Sequence, residues 1–290
     1  MGSSQQCITR FAPSPTGQLH LGHLYAALYA RDLAAQQGGL FLLRFEDIDR
    51  TRVREHFYQS ILEDLEFVKI QWDAHPVRQT DRLEAYSEAL NTLKRLGVIY
   101  PCFCTRKDIA RELENVTRAP HGPDGPLYPG TCKNLSKAEI ARLTDRHEVP
   151  AWRLDAHRAK QLTGPLSFHD SLKGTVEVNH ALLGDLVLAR KDIGTSYHIA
   201  VVIDDAYQQV SDVTRGNDLL DSTHLHRILQ SLFNLPEPQY HHHGIVCDSN
   251  GERLAKRNAP LSIKQLREQG YNAERMRKLM KKQLILTGSS

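Results

Sequence analysis

Two histidines three positions apart, His20 and His23, close the segment Arg10-Phe-Ala-Pro-Ser-Pro-Thr-Gly-Gln-Leu-His20-Leu-Gly-His23, in which a strand-like run passes through a Pro/Gly turn into a helix start. Imidazoles at this spacing share one face of the first helical turn, beside unpaired backbone N–H groups and the positive end of the helix dipole. That combination suits a triphosphate chain, and Gly22 between the histidines lets a flat base approach the backbone. Taken alone, His-x-x-His also fits ordinary surface or core histidines, or part of a zinc site. A second cluster is made of Cys102, Cys104 and Cys132, which lie within about thirty residues of one another, whereas Cys7 and Cys247 stand apart and read as strand residues. In a reducing compartment three converging thiols favour zinc over disulfides and leave one ligand short. His121, Asp124 or water is available for that place, and three buried free cysteines are the plain alternative.

The elements that must position these residues follow from hydrophobic spacing. Cys7 to Phe11 and Leu40 to Phe45 read as strands around a helix from about Gly22 to Gln37, an alternation that predicts a parallel sheet with crossover helices. Phe57, Ile61, Leu62 and Leu65, then Leu83, Tyr86, Leu90, Leu93 and Leu96 before a stop at Gly97, mark two amphipathic helices expected to pack on that sheet. From Pro101 to about Val149 the texture changes to clustered cysteines, a Pro/Gly loop and a capping box at Ser136 and Glu139, which reads as an insertion. Strand-like stretches resume at Trp152, Phe168, Thr175 to Val178 and Leu186 to Leu188. Tyr197 to Ile203 reads as a buried strand of the main sheet. A helix from about Asn217 to Phe233, a short strand at Gly244 to Val246 and a helical tail from Ser262 complete the chain.

Composition narrows the classes. The chain has 290 residues, 40% apolar and 24% charged, as for an ordinary globular protein of about two domains. With 37 basic and 34 acidic side chains the net charge of +3 permits an RNA partner without identifying one. Apolar runs such as Ile199 to Ile203 are too short to cross a bilayer, and the N-terminus lacks the pattern of a secretory signal, so no membrane partner and a cytoplasmic location are expected.

The His20-Leu-Gly-His23 block closely resembles the signature of the glutamyl and glutaminyl class I aminoacyl-tRNA synthetases. The resemblance spans residues 8 to 260: Leu43-Arg-Phe-Glu46-Asp-Ile-Asp49-Arg50 looks like the second-strand motif, Ser196-Tyr197-His198 with Asp204-Asp205 like the amino-acid pocket strand, and Thr214-Arg215-Gly-Asn-Asp-Leu-Leu follows the pattern. It implies a Rossmann-like α/β catalytic domain with a zinc-containing insertion and a short helical C-terminal region. The implied boundaries are 1–100 for the first half of the catalytic domain, 101–150 for the zinc insertion, 151–240 for the acceptor-binding remainder and second half, and 241–290 for a mobile loop and tail. That loop, the family's "KMSKS" element, is here Arg253-Leu-Ala-Lys256-Arg257. Lys256 takes the place of the lysine that stabilises the phosphate during adenylate formation, while Arg253 and Ala255 depart from the pattern.

The resemblance further implies that Arg10, Phe11, Ala12, Pro13, Ser14, Glu46, Tyr197 and Arg215 surround a glutamate. Arg10 is then the partner of its side-chain carboxylate, and Glu46 holds the α-ammonium. It implies that His20, Gly22, His23 and Lys256 handle ATP with Mg²⁺. From the residues alone, Glu46 is equally a salt-bridge partner of Arg44 or Arg50, Arg215 a helix-entry charge and Tyr197 a core aromatic. The cysteine cluster, with Tyr128 four residues before Cys132, is similar to that of the glutamyl-Q tRNA(Asp) synthetase branch, in which the tyrosine is the fourth zinc ligand. One structural Zn²⁺ per chain at Cys102, Cys104, Tyr128 and Cys132 is implied.

Too few residues follow Lys256 for a domain of about 100 residues, so no anticodon-binding domain is expected. The tail offers Arg275, Arg277, Lys278, Lys281 and Lys282, a face for phosphates or a solvated helix. The implied activity is tRNA-independent formation of glutamyl-adenylate, with His20, His23 and Lys256 stabilising charge, then transfer to the queuosine base of tRNA(Asp) by a monomer. The rivals are a truncated glutamyl-tRNA synthetase charging the 3′ end, a nonenzymatic tRNA-binding module, and a nucleotidylyltransferase using the same phosphate motif.

Overall fold

The computed structural model describes residues 6–114, 121–122, 125–146, 148–247, 261–282 and 284–285. The first part of the chain forms β1 (Ile8–Phe11), α1 (Leu21–Gln36), β2 (Leu40–Phe45), α2 (Glu55–Phe67), β3 (Val77–Arg78), α3 (Leu83–Leu96) and β4 (Ile99–Cys102). The middle segment adds α4 (Arg106–Glu114), the two-residue strands β5 (His121–Gly122) and β6 (Gly125–Pro126), and α5 (Lys137–Asp145). Beyond it come β7 (Ala151–Leu154), α6 (Ala156–Thr163), β8 (Ser167–Asp170), β9 (Gly174–Glu177), α7 (His180–Leu183), β10 (Val187–Ala189) and α8 (Tyr197–Tyr207). The chain continues with β11 (Asp212–Gly216), α9 (Leu220–Leu232), β12 (Gln239–His243), β13 (Ile245–Val246), α10 (Ile263–Glu268), α11 (Ala273–Lys282) and β14 (Leu284–Ile285).

All four residues of β1 are buried, and β1 pairs in parallel with β2 from Ile8↔Leu40 to Phe11↔Leu43; β2 pairs onward with β3. On its other side β1 meets the β11 region, where the Ser211 N–H donates to Ile8 O at 3.0 Å and the Ile8 N–H to Ser211 Oγ at 2.8 Å. β11 pairs in parallel with β12, and β12 with β8. The parallel sheet is thus assembled from two parts of the chain lying before and after the cysteine-bearing segment. The same segment is flanked by a separate antiparallel sheet in the order β10, β7, β4.

α1 is apolar around much of its circumference because it is covered twice. Leu24, Ala27 and Ala30 are fully buried in the cluster that holds Phe41 and Leu43 of β2, and Met276 and Met280 of α11 join the same cluster. Small side chains let α1 lie close to the sheet, near enough for Thr9 Oγ1 to donate to Ala30 O at 2.9 Å. α2 packs into this cluster through Ile61 and Leu65. α3 does not follow the expectation that it packs on the sheet: Tyr86, Leu90 and Leu93 belong to a second cluster with Ile199, Val201 and Val202 of α8 and Leu225 and Leu229 of α9. Its stop at Gly97 holds, with φ at +66°, a left-handed cap that glycine adopts without strain.

The segment from Tyr197 to Ile203 is helix α8 and not a strand of the main sheet. The reading failed because α8 lies between α3 and α9, so Ile199, Ala200, Val201 and Val202 are all buried. A helix covered on several sides loses its 3.6-residue polarity signal, and a β-branched run then looks like a buried strand. The short strand expected at Gly244 to Val246 is β13; the strand missed before it is β12, whose sequence Gln-Tyr-His-His-His carries little apolar signal although four of its five residues are buried. The Ser136 capping box is present as read.

Within the second cluster α3 and the turn before it are tied to α8 by a buried carboxylate. Asp204, fully buried on α8, accepts from Tyr86 Oη at 2.6 Å, Arg82 Nε at 2.6 Å and Gln79 Nε2 at 3.1 Å. Tyr86→Phe is expected to cost about 1–2 kcal/mol in urea unfolding, since two other donors remain. Asp204→Ala is expected to cost about 3–5 kcal/mol, because it strands Arg82 and two neutral donors together.

Candidate active site

A cleft of about 1800 Å³ opens at the carboxyl ends of β1 and β11. This is where open parallel sheets place their ligands, because the strand order reverses there and the loops diverge. Among its walls are Arg10, Phe11, Ala12, Pro13, Ser14, His20, Gly22, His23, Glu46, Tyr197 and Arg215, so the structure brings together every described residue singled out for glutamate or ATP. Lys256, with Arg253, Ala255 and Arg257, lies outside the described residues. The chain on either side of that stretch does reach the cleft, through Val246 and Ser262. Ser262 forms a bridge to His20, and the Ile263 N–H donates to Leu19 O at 2.8 Å.

His20 is the N-cap of α1, and the two histidines close a reciprocal capping box. His20 Nδ1 accepts from the Gly22 N–H at 3.0 Å, and His23 Nδ1 from the His20 N–H at 3.2 Å, with the rings stacked at 3.8 Å. A ring nitrogen that accepts an N–H carries no proton, so each neutral ring has its proton on Nε2. Gly22 is needed here for a reason sequence did not suggest. A Cβ at this position would sit 2.9 Å from His20 Cε1 and 3.1 Å from Nδ1, so glycine makes room for the capping ring itself.

The wall of the cleft formed by β1, β2 and α8 is organised by charge. Asp205, on α8, accepts at Oδ1 from Arg10 Nε at 2.9 Å and Arg44 Nη1 at 2.8 Å, and at Oδ2 from Arg10 Nη2 at 3.2 Å. Burial raises the cost of its charge, yet Arg10 and Arg44 together hold its carboxyl below the usual aspartate range. Arg44 is wholly buried, and its Nη2 lies 3.6 Å from Glu46 Oε1, the salt bridge that sequence left open. Burial nevertheless pushes the Glu46 carboxyl upward, against the pull of Arg44 and Arg10. Tyr197, at the first turn of α8, is likewise pushed upward by burial and by Glu46.

Arg10 and Arg44 are therefore matched by Asp205 and Glu46, but Arg215 is not matched. Arg215, on β11 and 5% exposed, makes no ion pair among the described residues. Its Nη2 donates to Thr223 Oγ1 at 2.7 Å, its Nη1 lies 3.1 Å from His226 Nδ1, and its Nε has no partner. The hydroxyl of Thr223 in turn lies 3.0 Å from His242 Nε2, and His242 Nδ1 is 2.6 Å from Asp170 Oδ2. A buried, uncompensated guanidinium on a cleft wall is a place for an anionic ligand. Sequence reading took Asp205 only as part of a motif and did not single out Thr223, His226, His242 or Asp170. Nothing in their spacing announces them, because they meet only when β8, β11, α9 and β12 come together.

At the end of β4 the sulfur atoms of Cys102, Cys104 and Cys132 all lie within 4.8 Å of one another. Tyr128 Oη is 3.4 Å from both Cys102 and Cys104, and Cys104 is 3.4 Å from Cys132. A tetrahedral zinc with three thiolates and a phenolate sets its ligand atoms about 3.5–3.8 Å apart, so the four side chains fit that ion. Arg153 lies 3.8 Å over the Tyr128 ring, while burial and the neighbouring thiols push the Tyr128 hydroxyl above its ordinary value. Burial pushes the Cys104 thiol up to about 12 when no cation is present, which is the cost a metal would remove. The alternatives His121 and Asp124 cannot be compared here, since the side chain of His121 and all of Asp124 lie outside the described residues.

Residues 6–287 match the family of class I tRNA synthetases (E and Q), catalytic domain, and the chain belongs to that family. A glutamyl-Q tRNA(Asp) synthetase from Rhodobacter capsulatus is 43% identical over 94% of this chain and 99% of its own. One from Nitratidesulfovibrio vulgaris is 40% identical over 91% and 82%. Among solved structures, the glutamate-tRNA synthetase of Elizabethkingia anophelis superposes with a TM-score of 0.75 at 27% identity, covering 88% of this chain, which spans only 53% of that longer one. The Rossmann-like synthetase fold expected from the sequence is thereby established. No helix among the described residues is long and apolar enough to cross a membrane.

Two outcomes test this geometry. Gly22→Ala is expected to cost about 1 kcal/mol by displacing the His20 cap, and to add nothing in a background where His20 is already Ala, as measured by urea unfolding. Asp205→Asn is expected to cost about 3 kcal/mol or more at pH 7. Because the folded carboxyl titrates lower than the unfolded one, Asp205 stabilises above the ordinary aspartate pKa, and this is lost as pH falls through its folded value. The gap between Asp205→Asn and the unaltered protein therefore narrows in acid.

Proposed function

We propose that this ligase-family protein activates L-glutamate with ATP and Mg²⁺ as glutamyl-adenylate without tRNA, then transfers the glutamyl group to the queuosine base of tRNA(Asp) in the cytoplasm. The observation that carries the glutamate reading is Arg215, a buried cation lining the cleft with no carboxylate partner among the described residues. Together with Arg10 it receives the substrate's side-chain carboxylate beside Tyr197, and Glu46, flanked by Phe11 to Ser14, takes the α-ammonium. Residue types and the family resemblance support this division of roles. The queuosine acceptor rests on the relatives' names and on their similarity along nearly the whole chain.

Adenylation moves the α-carboxylate oxygen onto the α-phosphorus and releases pyrophosphate. His20 and His23, with protons on Nε2, are donors at the start of α1, where the helix dipole adds positive potential. Lys256 supplies a positive charge to the same phosphates, and Gly22 leaves room for the His20 ring. Mg²⁺ would arrive with the nucleotide and neutralise its phosphates. No covalent enzyme intermediate is required: alignment and electrostatics lower the barrier. Cys102, Cys104, Tyr128 and Cys132 would hold a structural Zn²⁺, which would tie the end of β4 to the segment around Cys132.

Pyrophosphate exchange driven by glutamate, and not by glutamine or aspartate, is expected without tRNA. Lys256→Ala should lower its kcat by about 100- to 1000-fold. Exchange that appears only after tRNA is added would replace this reading with that of a glutamate–tRNA ligase, the kind of relative found in Syntrophus aciditrophicus at 34% identity. No exchange under either condition would leave a tRNA-binding module. For the metal, one zinc per chain is expected, with Tyr128→Phe weakening its retention against a chelator by about tenfold or more; unchanged stoichiometry and affinity would remove Tyr128 from the ligand set.

A further inference from the structure

The residues proposed for glutamate and ATP leave one rim of the cleft, at the start of α2, without a role. Phe57 belongs to the apolar spacing that predicts α2 to pack on the sheet, yet it joins none of the apolar clusters; Ile61 and Leu65 do the packing, and Phe57 lines the cleft. His56 beside it is exposed and lines the cleft too, its ring centroid 4.2 Å from that of Phe57. The backbone holds this pair in place: the Phe57 N–H donates to Arg54 O at 3.0 Å, and the Arg54 N–H to Pro15 O at 3.1 Å, which ties the rim to the turn between β1 and α1. Arg50, Arg52 and Arg54 are all exposed on the same connection, and Arg52 lines the cleft. The carboxylates next to them are already taken, since Asp49 Oδ2 is 3.2 Å from Arg190 Nη1 and Glu55 Oε1 is 3.5 Å from Arg78 Nη2. The three arginines therefore make no ion pair among the described residues.

We propose that this rim docks single-stranded RNA, namely the anticodon loop of the tRNA: an unpaired base lies on the His56 and Phe57 rings, the arginines meet the flanking phosphates, and a neighbouring nucleoside enters the cleft. The inference rests on the reading of a tRNA base as acceptor and names the surface that delivers it. Unmatched cations attract any polyanion and supply most of the affinity for nucleic acid without reading sequence. The rings narrow the choice, because an aromatic face takes a base only when that base is unstacked and unpaired, as in a loop and not in a stem. Carboxylates on a protein partner would satisfy the arginines and leave the rings unused. α2 begins at Arg54 without a side-chain cap, so the positive end of its dipole adds to the potential at the rim.

The test is the fluorescence anisotropy of two labelled RNAs, the anticodon stem–loop of tRNA(Asp) and a minihelix ending in the tRNA 3′ terminus. The unaltered protein is expected to bind the stem–loop. The double variant His56→Ala, Phe57→Leu should weaken that binding by about tenfold or more, and Phe57→Tyr, which keeps the ring, should stay within about threefold of the unaltered protein. With Arg50, Arg52 and Arg54 all changed to Gln, the slope of log affinity against log salt should fall by about two, at about 0.7 for each phosphate contact on a single strand. Unchanged stem–loop affinity in the double variant, or an equal loss in Phe57→Tyr, would overturn the proposal and leave the acceptor reading standing. A raised KM for ATP in pyrophosphate exchange with RNA affinity intact would also overturn it, and would make the rim part of the nucleotide site. Binding of the minihelix in place of the stem–loop would sink the acceptor reading and remove the anticodon loop as occupant, and the ring variants would then show whether the rim takes unpaired bases at all. Binding of neither RNA would overturn both.

Discussion

Asp205 accepts hydrogen bonds from two arginines that stand on different strands, and most of the cleft is arranged around that fact. Two buried guanidiniums on neighbouring strands would repel each other and face a desolvation cost of several kcal/mol each. One carboxylate from α8 between them makes the arrangement tenable, ties β1 and β2 to that helix, and sets the N-terminal turn of α8 against the mouth of the sheet. Tyr197 and His198 reach the cleft as a result. Glu46 completes the balance with Arg44, and the remaining cation, Arg215, is left for whatever anion enters.

The start of α1 follows a different economy. His20 and His23 use one edge of each ring to finish the helix and so have their tautomers set before any ligand arrives. Such preorganisation is what electrostatic catalysis requires, because donors that must reorient during reaction contribute less. The same principle recurs at the other wall, where Arg215 Nη1, which can only donate, makes His226 Nδ1 an acceptor. Both sides rely on backbone or guanidinium donors, which cannot change role, to settle what an ambiguous imidazole does.

How much of this was legible beforehand depended on whether the signal was local. The first strands, α1 with its histidines, the stop at Gly97 and the Ser136 capping box were readable because caps, turns and short-range periodicity are written in adjacent residues. α8 was misread as a strand because burial on several faces erases periodicity, and β12 carries three histidines where a strand usually shows apolar residues. The residues of the cleft wall were legible only as family motifs. Why Gly22 must be glycine, why Arg10 is balanced and Arg215 is not, and which groups hold Arg215 all depend on contacts between segments far apart in sequence.

The junction of β1 with the β11 region has a consequence for biosynthesis. Arg10 and Arg44 emerge early from the ribosome, while their shared carboxylate lies 195 and 161 positions later. Until Asp205 is made, burying β1 and β2 would enclose two unbalanced cations beside an unpaired strand edge. Until α8 and β11 have been translated, the N-terminal portion lacks the partners that make burial of β1 and β2 favourable. A protein whose charge balance is divided in this way gains the stability of its parallel sheet only once both parts of the chain are present.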